Sequence, residues 1–411
     1  MSFFCYRIGG NSVAIAGIIT EYNPLHGGHL RQLRRARELL GAETAVVCAM
    51  SGNFVQRGDF ALLPKHARAE AAVRSGADLV LELPLSWAAA PAERFAQGGV
   101  EVLTGTGLVT HLIFGSESGD GEAIRKAAEA LLSGDFSRQL RGELSGPVSF
   151  AAARQRALEG ILGTEGAAVL SRPNDILAVE YCKALLREKS TVTPLPILRE
   201  GASHDGEGGE YPSAGSIRRR LAAGRRDEAM AAMAPAMREI YETEETRGHA
   251  PVFAANAERA ILARLRGMEE ADFLALDAGR EGLGRRFLTA ARKASSVEEL
   301  LSLAKTKRYA YARLRRMVLW AYLGLTPGEL PARVPYLRPL AMNAQGRKLL
   351  AEMRERALLP VLTKAADVRA LSPEARTVFQ QEVRATDLYT LAYPGTVAPA
   401  GAEWREGPRV L

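Results

Sequence analysis

The chain of 411 residues is 47% hydrophobic and 25% charged, which is ordinary for a globular protein and provides material for two domains. A chain of this length can form a stable core without disulfides or structural metals, and its three scattered cysteines lack metal-ligand spacing. No apolar run reaches the length of a membrane span, and the N-terminus lacks a signal-peptide core. These features favour a cytoplasmic protein with no membrane partner and no protein-bound zinc or other structural metal.

The net charge of +7 is concentrated in the last quarter of the chain. Residues 301–411 contain 18 Lys and Arg against 9 Asp and Glu, a net of +9, whereas residues 1–300 contain 36 against 38. Such a local basic excess is typical of a protein that binds a polyanion, and a solubilising basic face is the alternative.

Short apolar runs alternate with helical patterns in the first half of the chain. Buried strands are predicted at residues 13–19, 44–50, 77–83 and 111–114, with an extended segment at 191–198. Helices are predicted at residues 30–40, 64–75 and 174–187, and another after residue 120. This alternation favours an α/β fold with a doubly wound, mostly parallel sheet.

The pattern changes near residue 225, beyond which clear strands disappear. Helices are predicted there at residues 226–245, 256–271, 284–304, 306–322 and 344–356. We therefore expect an N-terminal extension at residues 1–11, an α/β domain at residues 12–225 and a mainly α-helical domain at residues 226–411. The Gly- and Glu-rich residues 201–210 are expected to form a mobile loop of the α/β domain.

The turn after the first predicted strand carries the strongest chemical signal. That strand ends near Thr20 and a helix begins near Gly28, so His26-Gly27-Gly28-His29 lies at the junction. Ligands of parallel α/β sheets bind beyond the carboxyl ends of strands, where a helix N-terminus offers unpaired N–H groups to phosphate. The glycines permit close approach of the backbone, and two histidines on one helix face can both donate to phosphate oxygens. A metal site is the alternative, but the other histidines lack metal-ligand spacing.

This segment resembles the HxGH nucleotidylyltransferase superfamily, whose members share a Rossmann-like nucleotide-binding fold. The stretches GIITEYNPLHGGHL and MSGNFVQRGDFALLPKHARAEAAVRSGADLVLELP are further similar to the bacterial tRNA-Met cytidine acetate ligase family. Later segments also fit that family, namely FAQGGV (95–100), FGSE (114–117), RPNDIL (172–177), SAGSIR (213–218), KRYAYARLRR (307–316), PYLRPLAMN (335–343) and RATDLYTL (384–391). Together these segments cover nearly the whole chain.

The resemblance implies a reaction and its partners. Members of the family use ATP to activate acetate as acetyl-adenylate with release of pyrophosphate, and then acetylate the N4 amine of the wobble cytidine in elongator tRNA-Met. ATP, acetate and elongator tRNA-Met are the implied partners, with Mg²⁺ accompanying ATP. His26 and His29 are the implied catalytic residues, stabilising the pentavalent phosphorus and the departing pyrophosphate.

The resemblance also implies a set of ATP-binding residues. They are Ile18, Ile19, Thr20, Glu21, Tyr22, Asn23, Pro24, Leu25, His26, Gly27, Gly28, His29, Leu30, Gly98, Asn174, Arg199, Ser216 and Arg218. Gly98 is expected near the adenosine, Asn174 on a ribose or base, and Arg199 on a phosphate. Ser216 and Arg218 are expected to reach the triphosphate, with an ordinary helix cap as the alternative. Gly215 stands where many relatives carry Thr, so one hydroxyl contact of the family is missing here.

Candidate tRNA-binding residues occur in two places. Lys65 and Arg68 lie three residues apart on a predicted helix, where they would hold ATP phosphates or the tRNA backbone, and a solvated helix face is the alternative. The densest basic segment supplies the others, namely Lys307, Arg308, Tyr309, Arg313, Arg315 and Arg316. Its cations would meet phosphates and its tyrosines would stack on exposed bases, whereas a merely amphipathic helix is the alternative.

Two other functions are compatible with parts of the sequence. A small-molecule adenylyltransferase would account for the histidine motif but not for the basic C-terminal region. A non-catalytic tRNA-binding protein would be expected to have lost a motif histidine, and both are present. Acetate-dependent exchange of labelled pyrophosphate into ATP distinguishes a cytidine acetate ligase from both of these alternatives.

Overall fold

The structure is a computed structural model that describes residues 14–146, 148–199, 211–276, 282–307 and 309–411. The predicted N-terminal extension, the predicted loop at residues 201–210 and the candidate residue Arg308 lie outside these residues. The strands are β1 (Ile15–Thr20), β2 (Ala45–Ser51), β3 (Phe54–Val55), β4 (Asp59–Phe60), β5 (Leu79–Leu83), β6 (His111–Ser116), β7 (Thr193–Leu198), β8 (Pro339–Met342) and β9 (Arg409–Val410). Seven of them form one sheet in the order β7-β6-β1-β2-β5-β8-β9, and β3 pairs with β4.

Helices fill most of the rest of the described chain. They are α1 (Gly27–Leu40), α2 (Lys65–Arg74), α3 (Leu85–Ala88), α4 (Ala92–Gly105), α5 (Gly121–Leu131), α6 (Gly134–Leu144), α7 (Phe150–Ala167), α8 (Pro173–Arg187), α9 (Ala214–Ala222), α10 (Arg226–Ala232), α11 (Pro235–Thr246), α12 (Glu258–Arg266), α13 (Glu270–Leu276), α14 (Leu283–Lys293), α15 (Val297–Ala304), α16 (Tyr311–Leu323), α17 (Ala344–Arg356), α18 (Pro373–Thr390) and α19 (Ala402–Arg405). Within the described ranges, none of these helices combines the length and the apolar character that crossing a bilayer requires.

The central strands run parallel, as the alternation of apolar runs and helices predicts. β1 pairs in parallel with β2 and β6, β2 with β5, and β6 with β7. Their carboxyl ends therefore lie along one edge of the sheet, where ligands of such sheets bind. The predicted Rossmann-like α/β fold is confirmed, and the strand-to-helix turn at His26–His29 lies at this edge.

The C-terminal part of the chain contributes to the same sheet. β8 pairs antiparallel with β5, and β9 pairs with β8. The expectation that strands are missing after residue 225 is therefore wrong for these two segments, because runs of two to four residues are too short for a periodicity signal. The helices α10 and α11 also pack on the first half, since Met237 and Tyr241 belong to the apolar cluster that contains Ala69 of α2.

The described residues between 252 and 325 supply most of a separate helical core, which also includes Leu85, Ala89 and the end of α18. The β3–β4 hairpin inserts its two phenylalanines into this core, with the rings of Phe54 and Phe60 4.8 Å apart. Next to the hairpin, the Tyr389 hydroxyl of α18 donates to the Ala61 carbonyl at 2.8 Å. The hairpin thus connects the ligand edge of the sheet to the helical core.

Candidate active site

An open cleft lies at the carboxyl ends of β1, β6 and β7. The loop after β1, the β3–β4 turn and the helices α1, α4, α8 and α9 form its walls. The lining residues are Ile19, Thr20, Glu21, Tyr22, Asn23, His26, His29, Gln32, Gln56, Arg57, Phe95, Phe114, Gly115, Asn174, Leu177, Tyr181, Arg199, Ser213, Ala214, Gly215 and Arg218. An adjoining recess shares His26, His29, Gly115, Arg199 and Ser213 and adds Ile197, Leu198 and Tyr211.

The two motif histidines cap the helix that they begin. His26 is the N-cap of α1, and its Nδ1 accepts the Gly28 N–H at 3.1 Å. His29 returns the contact, since its Nδ1 accepts the His26 N–H at 3.3 Å. The two rings lie 3.9 Å apart, and no acidic residue occupies the first turn of α1. The N-terminal end of α1 therefore remains favourable for an anion.

These backbone contacts set the tautomer of both imidazoles. A neutral imidazole carries one proton, so a ring whose Nδ1 accepts a hydrogen bond carries its proton on Nε2. Burial and the nearby Arg199 guanidinium lower the pKa of His26 to about 4. Burial, His26 and Arg199 likewise hold the pKa of His29 well below its ordinary value. At neutral pH the free protein therefore presents two neutral Nε2–H donors.

Arg199 extends from the end of β7 across the end of β6. Its backbone N–H donates to the Ser116 carbonyl at 2.8 Å, which continues the pairing of the two strands. A Cβ added to Gly115 would come within 3.2 Å of the Arg199 side chain, so the glycine leaves room for the guanidinium. The structure thus brings Arg199 to the histidine pair.

Asn174 lies at the start of α8, where Glu117 holds it. The Glu117 carboxylate accepts the backbone N–H groups of Asn174 and Asp175 at 3.0 Å, and it also accepts the Asn174 side-chain amide. A carboxylate at a helix N-terminus is favourably placed for the helix dipole. Glu117 therefore orients Asn174 towards the cleft.

The SAGSIR segment forms the start of α9. Ser213 is its N-cap and accepts the Ser216 N–H at 3.2 Å, while Ser216 itself is only 1% exposed. Arg218 donates to the Asn23 carbonyl at 2.7 Å and so braces the loop that precedes His26. The helix-cap alternative thus describes the local geometry, with Ser213, Gly215 and Arg218 at the cleft wall and Ser216 behind it.

The stretch from Ile18 to Leu30 divides between cleft and core. Residues 19–23, His26 and His29 line the cleft, whereas Ile18, Leu25 and Leu30 pack in the apolar core beneath it. Gly98 faces away from the cleft, because a Cβ at that position would overlap the Trp87 ring. The glycine is therefore explained by the packing of α4 on α3, and its expected place beside an adenosine stays a prediction.

Lys65 and Arg68 do not form a phosphate-binding or solvated face of α2, and this sequence-based expectation is wrong. Lys65 is 2% exposed, and its Nζ lies 2.6 Å from Glu82 and 2.5 Å from Glu403. Arg68 is fully buried and donates to the backbone carbonyls of residues 21, 51, 52 and 63. Both cations serve the internal structure because their partners come from other segments of the chain.

The basic segment before and within α16 is partly exposed. Lys307 and Arg315 are exposed, whereas Tyr309 is buried and its ring lies 5.3 Å from the guanidinium of Arg313. Stacking of Tyr309 on an exposed base is therefore excluded. The helix begins at Tyr311 rather than at residue 306, so the residues before it have a different orientation from the one predicted.

Arg316 connects the basic helix to the cleft. Its guanidinium donates to the Gln56 carbonyl at 3.2 Å, and burial together with Arg313 lowers its pKa to about 10. Gly58, with φ of +76°, lies directly against the α16 backbone at Arg315 and Arg316. The β3–β4 turn is thus held between the cleft and the basic helix.

Three cleft residues and one residue behind the cleft wall were not identified as site residues from the sequence. Phe95, Leu177 and Tyr181 form an apolar wall, and Glu117 holds the start of α8. Leu177 and Tyr181 lie three and seven residues after Asn174, which is the spacing of one helix face. That spacing, and the position of Glu117 directly after a buried strand, were available signals.

The chain matches a known protein family over most of its length. A family model for the HIGH Nucleotidyl Transferase family matches residues 13–403. A parallel sheet whose first strand leads into a histidine-capped helix therefore defines a nucleotidyltransferase of the HIGH class.

Individual relatives extend this comparison over almost the whole chain. The tRNA(Met) cytidine acetate ligases of Acetivibrio thermocellus and Fervidobacterium nodosum are 35% and 34% identical, each across 92% of this chain and 95% of the relative. The crystal structure of apo Thermotoga maritima TmcAL has a TM-score of 0.92 at 32% identity, covering 97% of this chain and 99% of that one. The same protein bound with alpha-thio ATP has a TM-score of 0.91. The chain belongs to the tRNA(Met) cytidine acetate ligase family.

Proposed function

We propose that this protein is an ATP-dependent tRNA-modifying ligase that activates acetate as acetyl-adenylate and acetylates the N4 amine of the wobble cytidine of elongator tRNA-Met. The observation that carries the proposal is the pair of Nε2–H donors of His26 and His29 at the ligand edge of the sheet. Its relatives are named tRNA(Met) cytidine acetate ligases, which supports the same substrate. We place its activity in the cytoplasm, where tRNA is modified in bacteria.

The cleft has separate surfaces for the two ends of a nucleotide. Phe95, Leu177 and Tyr181 supply an apolar wall that suits a nucleobase. The histidine pair and Arg199 supply donors and positive charge that suit phosphates. The neighbouring TmcAL structure with alpha-thio ATP supports ATP as the nucleotide.

The activation step requires positioning and stabilisation of charge. An acetate oxygen attacks the α-phosphorus of ATP, the bond from that phosphorus to the bridging oxygen breaks, and pyrophosphate leaves. The Nε2–H groups of His26 and His29 donate to the phosphate oxygens on which charge accumulates, and Arg199 adds a cation.

Mg²⁺ bound to the ATP phosphates would neutralise part of their charge. Among the described residues no group of three or more His, Cys, Asp or Glu side chains is placed to hold a metal ion. The histidines and Arg199 would contact the phosphates directly.

The exposed cations beside α16 are the proposed tRNA contacts. Lys307 and Arg315 are available to phosphates, while Arg313 lies against the Tyr309 ring and Arg316 contacts the cleft residue Gln56. Two other cations of the last quarter are paired with acids, Arg333 with Glu188 and Arg409 with Glu70. Among the exposed cations of the last quarter, those beside α16 adjoin the cleft through the contact of Arg316 with Gln56.

Replacing both Lys307 and Arg315 with Ala should weaken tRNA binding, and the loss should be largest at low salt. Two lost phosphate contacts should reduce the slope of log affinity against log salt by about 2. The measurement is filter binding of tRNA between low and physiological salt. The charge-matched control replaces the exposed Lys126 and Arg138 of α5 and α6 with Ala. An equal loss in the control would mean that binding depends on total charge and not on this surface.

The proposed function is tested by supplying ATP, acetate and bulk tRNA to the purified protein. We expect N4-acetylcytidine in the tRNA nucleosides by mass spectrometry, with AMP and pyrophosphate formed in equal amounts. Labelled acetate should appear in the product, whereas acetyl-coenzyme A should not replace acetate and ATP. Pyrophosphate exchange that responds to a nucleotide precursor and not to acetate would instead support the small-molecule adenylyltransferase.

A further inference from the structure

The acetyl-transfer step, which rests on the function proposed above, releases a proton. The cytidine amine nitrogen forms a bond to the acetyl carbon, and the bond from that carbon to the adenylate oxygen breaks. AMP leaves with the electron pair on its phosphate oxygen, and the nitrogen gives up one of its two protons. A group in the cleft with an available lone pair would accept that proton.

The histidines lack a free lone pair for this purpose. Both Nδ1 atoms accept backbone N–H groups, and both Nε2 atoms carry the ring proton. The low pKa of His26, about 4, reflects burial and Arg199 and also makes its ring a weak base at neutral pH. The histidine pair is therefore equipped to donate hydrogen bonds to phosphate and not to take up a proton.

The Glu117 carboxylate is also occupied. Its two oxygens accept the first N–H groups of α8 and the side chain of Asn174. Accepting a proton would disrupt the capping of this helix. Tyr181, which also lines the cleft, has a pKa raised above its ordinary value by burial and by the charge of Glu21, so it remains protonated at neutral pH.

Glu21 meets the requirement. It follows the last residue of β1, lines the cleft and is half-buried. Its Oε1 accepts the Gln56 backbone N–H at 2.8 Å, and within the described part of the chain no hydrogen bond engages Oε2. The backbone carbonyl of Glu21 accepts from the buried Arg68, which fixes the residue on the sheet. One carboxylate oxygen is thus held in place and the other is available.

Glu21 also lies on the side of the cleft next to the basic helix. Gln56 contacts the Glu21 carboxylate through its N–H and Arg316 of α16 through its carbonyl. A tRNA bound along the exposed face of α16 would therefore present its nucleotide to the cleft beside Glu21. We propose that Glu21 is the general base that accepts the N4 proton of cytidine during acetyl transfer.

The test separates the two half-reactions in the intact protein. Hydroxylamine traps acetyl-adenylate as acetohydroxamate without tRNA, whereas single-turnover acetylation of tRNA reports the transfer step. The variant Glu21→Gln keeps the shape and the hydrogen bond from Gln56 but removes the base. Glu21→Asp keeps a carboxylate, and Glu43→Gln alters an exposed acid before β2, at the other end of the sheet.

We expect Glu21→Gln to slow transfer about 10²–10⁴-fold, the usual contribution of a general base, and to slow acetohydroxamate formation far less. Glu21→Asp should retain more transfer activity than Glu21→Gln, and Glu43→Gln should match the wild type. A Glu21→Gln protein whose transfer stays within about tenfold of the wild type, or whose two half-reactions fall by the same factor, overturns the proposal. A wild-type protein that forms no acetohydroxamate from acetate removes the proposed function itself, and the role of Glu21 with it.

Discussion

Replacing His29 with Ala should lower acetate-dependent exchange of pyrophosphate into ATP by about 10²–10³-fold, the cost of losing one preorganised donor at a site of developing charge. The His29 ring is half-buried at the cleft wall and neutral, and its Nε2–H is available to a phosphate oxygen because Nδ1 accepts the His26 N–H. The side chain therefore contributes a hydrogen bond and not a positive charge. The substitution should lower kcat more than it raises the KM for ATP, since the hydrogen bond from His29 strengthens as pyrophosphate leaves.

The controls for this prediction separate chemistry from folding. Losing the His29 contact to the α1 N-cap should cost about 1 kcal/mol of stability, so the variant should remain folded by circular dichroism. His111→Ala alters a half-buried histidine at the start of β6, far from the cleft end of that strand, and should exchange normally. A folded His29→Ala protein that exchanges pyrophosphate at more than one tenth of the wild-type rate would contradict the assigned role.

Replacing Lys65 with Met should lower the free energy of unfolding by about 3–5 kcal/mol, the usual cost of removing one partner from a buried ion pair. Lys65 lies between the Glu82 and Glu403 carboxylates, and all three side chains are almost fully buried. Burial opposes the charge of Lys65, but the two carboxylates raise its pKa above the ordinary value. Its removal would leave Arg338 alone to balance both acids.

The free energy of unfolding that Lys65→Met loses should depend on pH in a defined direction. Burial disfavours the charge of Glu403, yet Lys65 and Arg338 hold its pKa at about 2, so this acid stabilises the native state above its ordinary pKa and less as pH falls towards 2. Without Lys65 the pKa of Glu403 should rise, and the native variant should take up a proton that the unfolded chain does not. The deficit of the variant should therefore be smaller at pH 5 than at pH 7.

Urea unfolding followed by circular dichroism measures this deficit. Arg138→Ala, which removes an exposed partner of Asp135 on α6, should change the free energy of unfolding by less than about 0.5 kcal/mol. A Lys65→Met protein as stable as the wild type but unable to bind tRNA would instead support the phosphate-binding role that the burial of Lys65 argues against.

Much of the nucleotide-binding half could be predicted from the sequence because its signals are local. The apolar runs of β1, β2 and β5 are fully or nearly buried strands, and the helix after the first of them begins at the histidine motif. Asp120 caps α5 as its position before an amphipathic pattern indicates. Each of these features depends on neighbours within a few residues, which is the range over which backbone preference and side-chain periodicity act.

The contribution of segments after residue 225 to the sheet could not be predicted from the sequence. The strands β8 and β9 are too short to be recognised, and they join the sheet through pairing with β5 and with each other. The predicted helix at residues 306–322 also begins too early, since α16 starts at Tyr311. Tyr309 therefore precedes the helix and is buried, whereas the prediction exposed it. Edge strands and helix starts of this kind are decided by packing against distant segments and not by their own sequence.

The sequence by itself determined the parallel sheet, the turn that carries His26 and His29 and the excess of positive charge in the last quarter of the chain. Only the tertiary structure decided which charged groups are internal and which carboxylate of the cleft keeps a free oxygen. The local sequence predicts that Lys65 is a surface cation, whereas the structure pairs it with Glu403, more than 300 residues later in the chain. The physical reason is that burying a charge requires partners, and folding brings those partners together from segments whose separation along the chain leaves no local pattern.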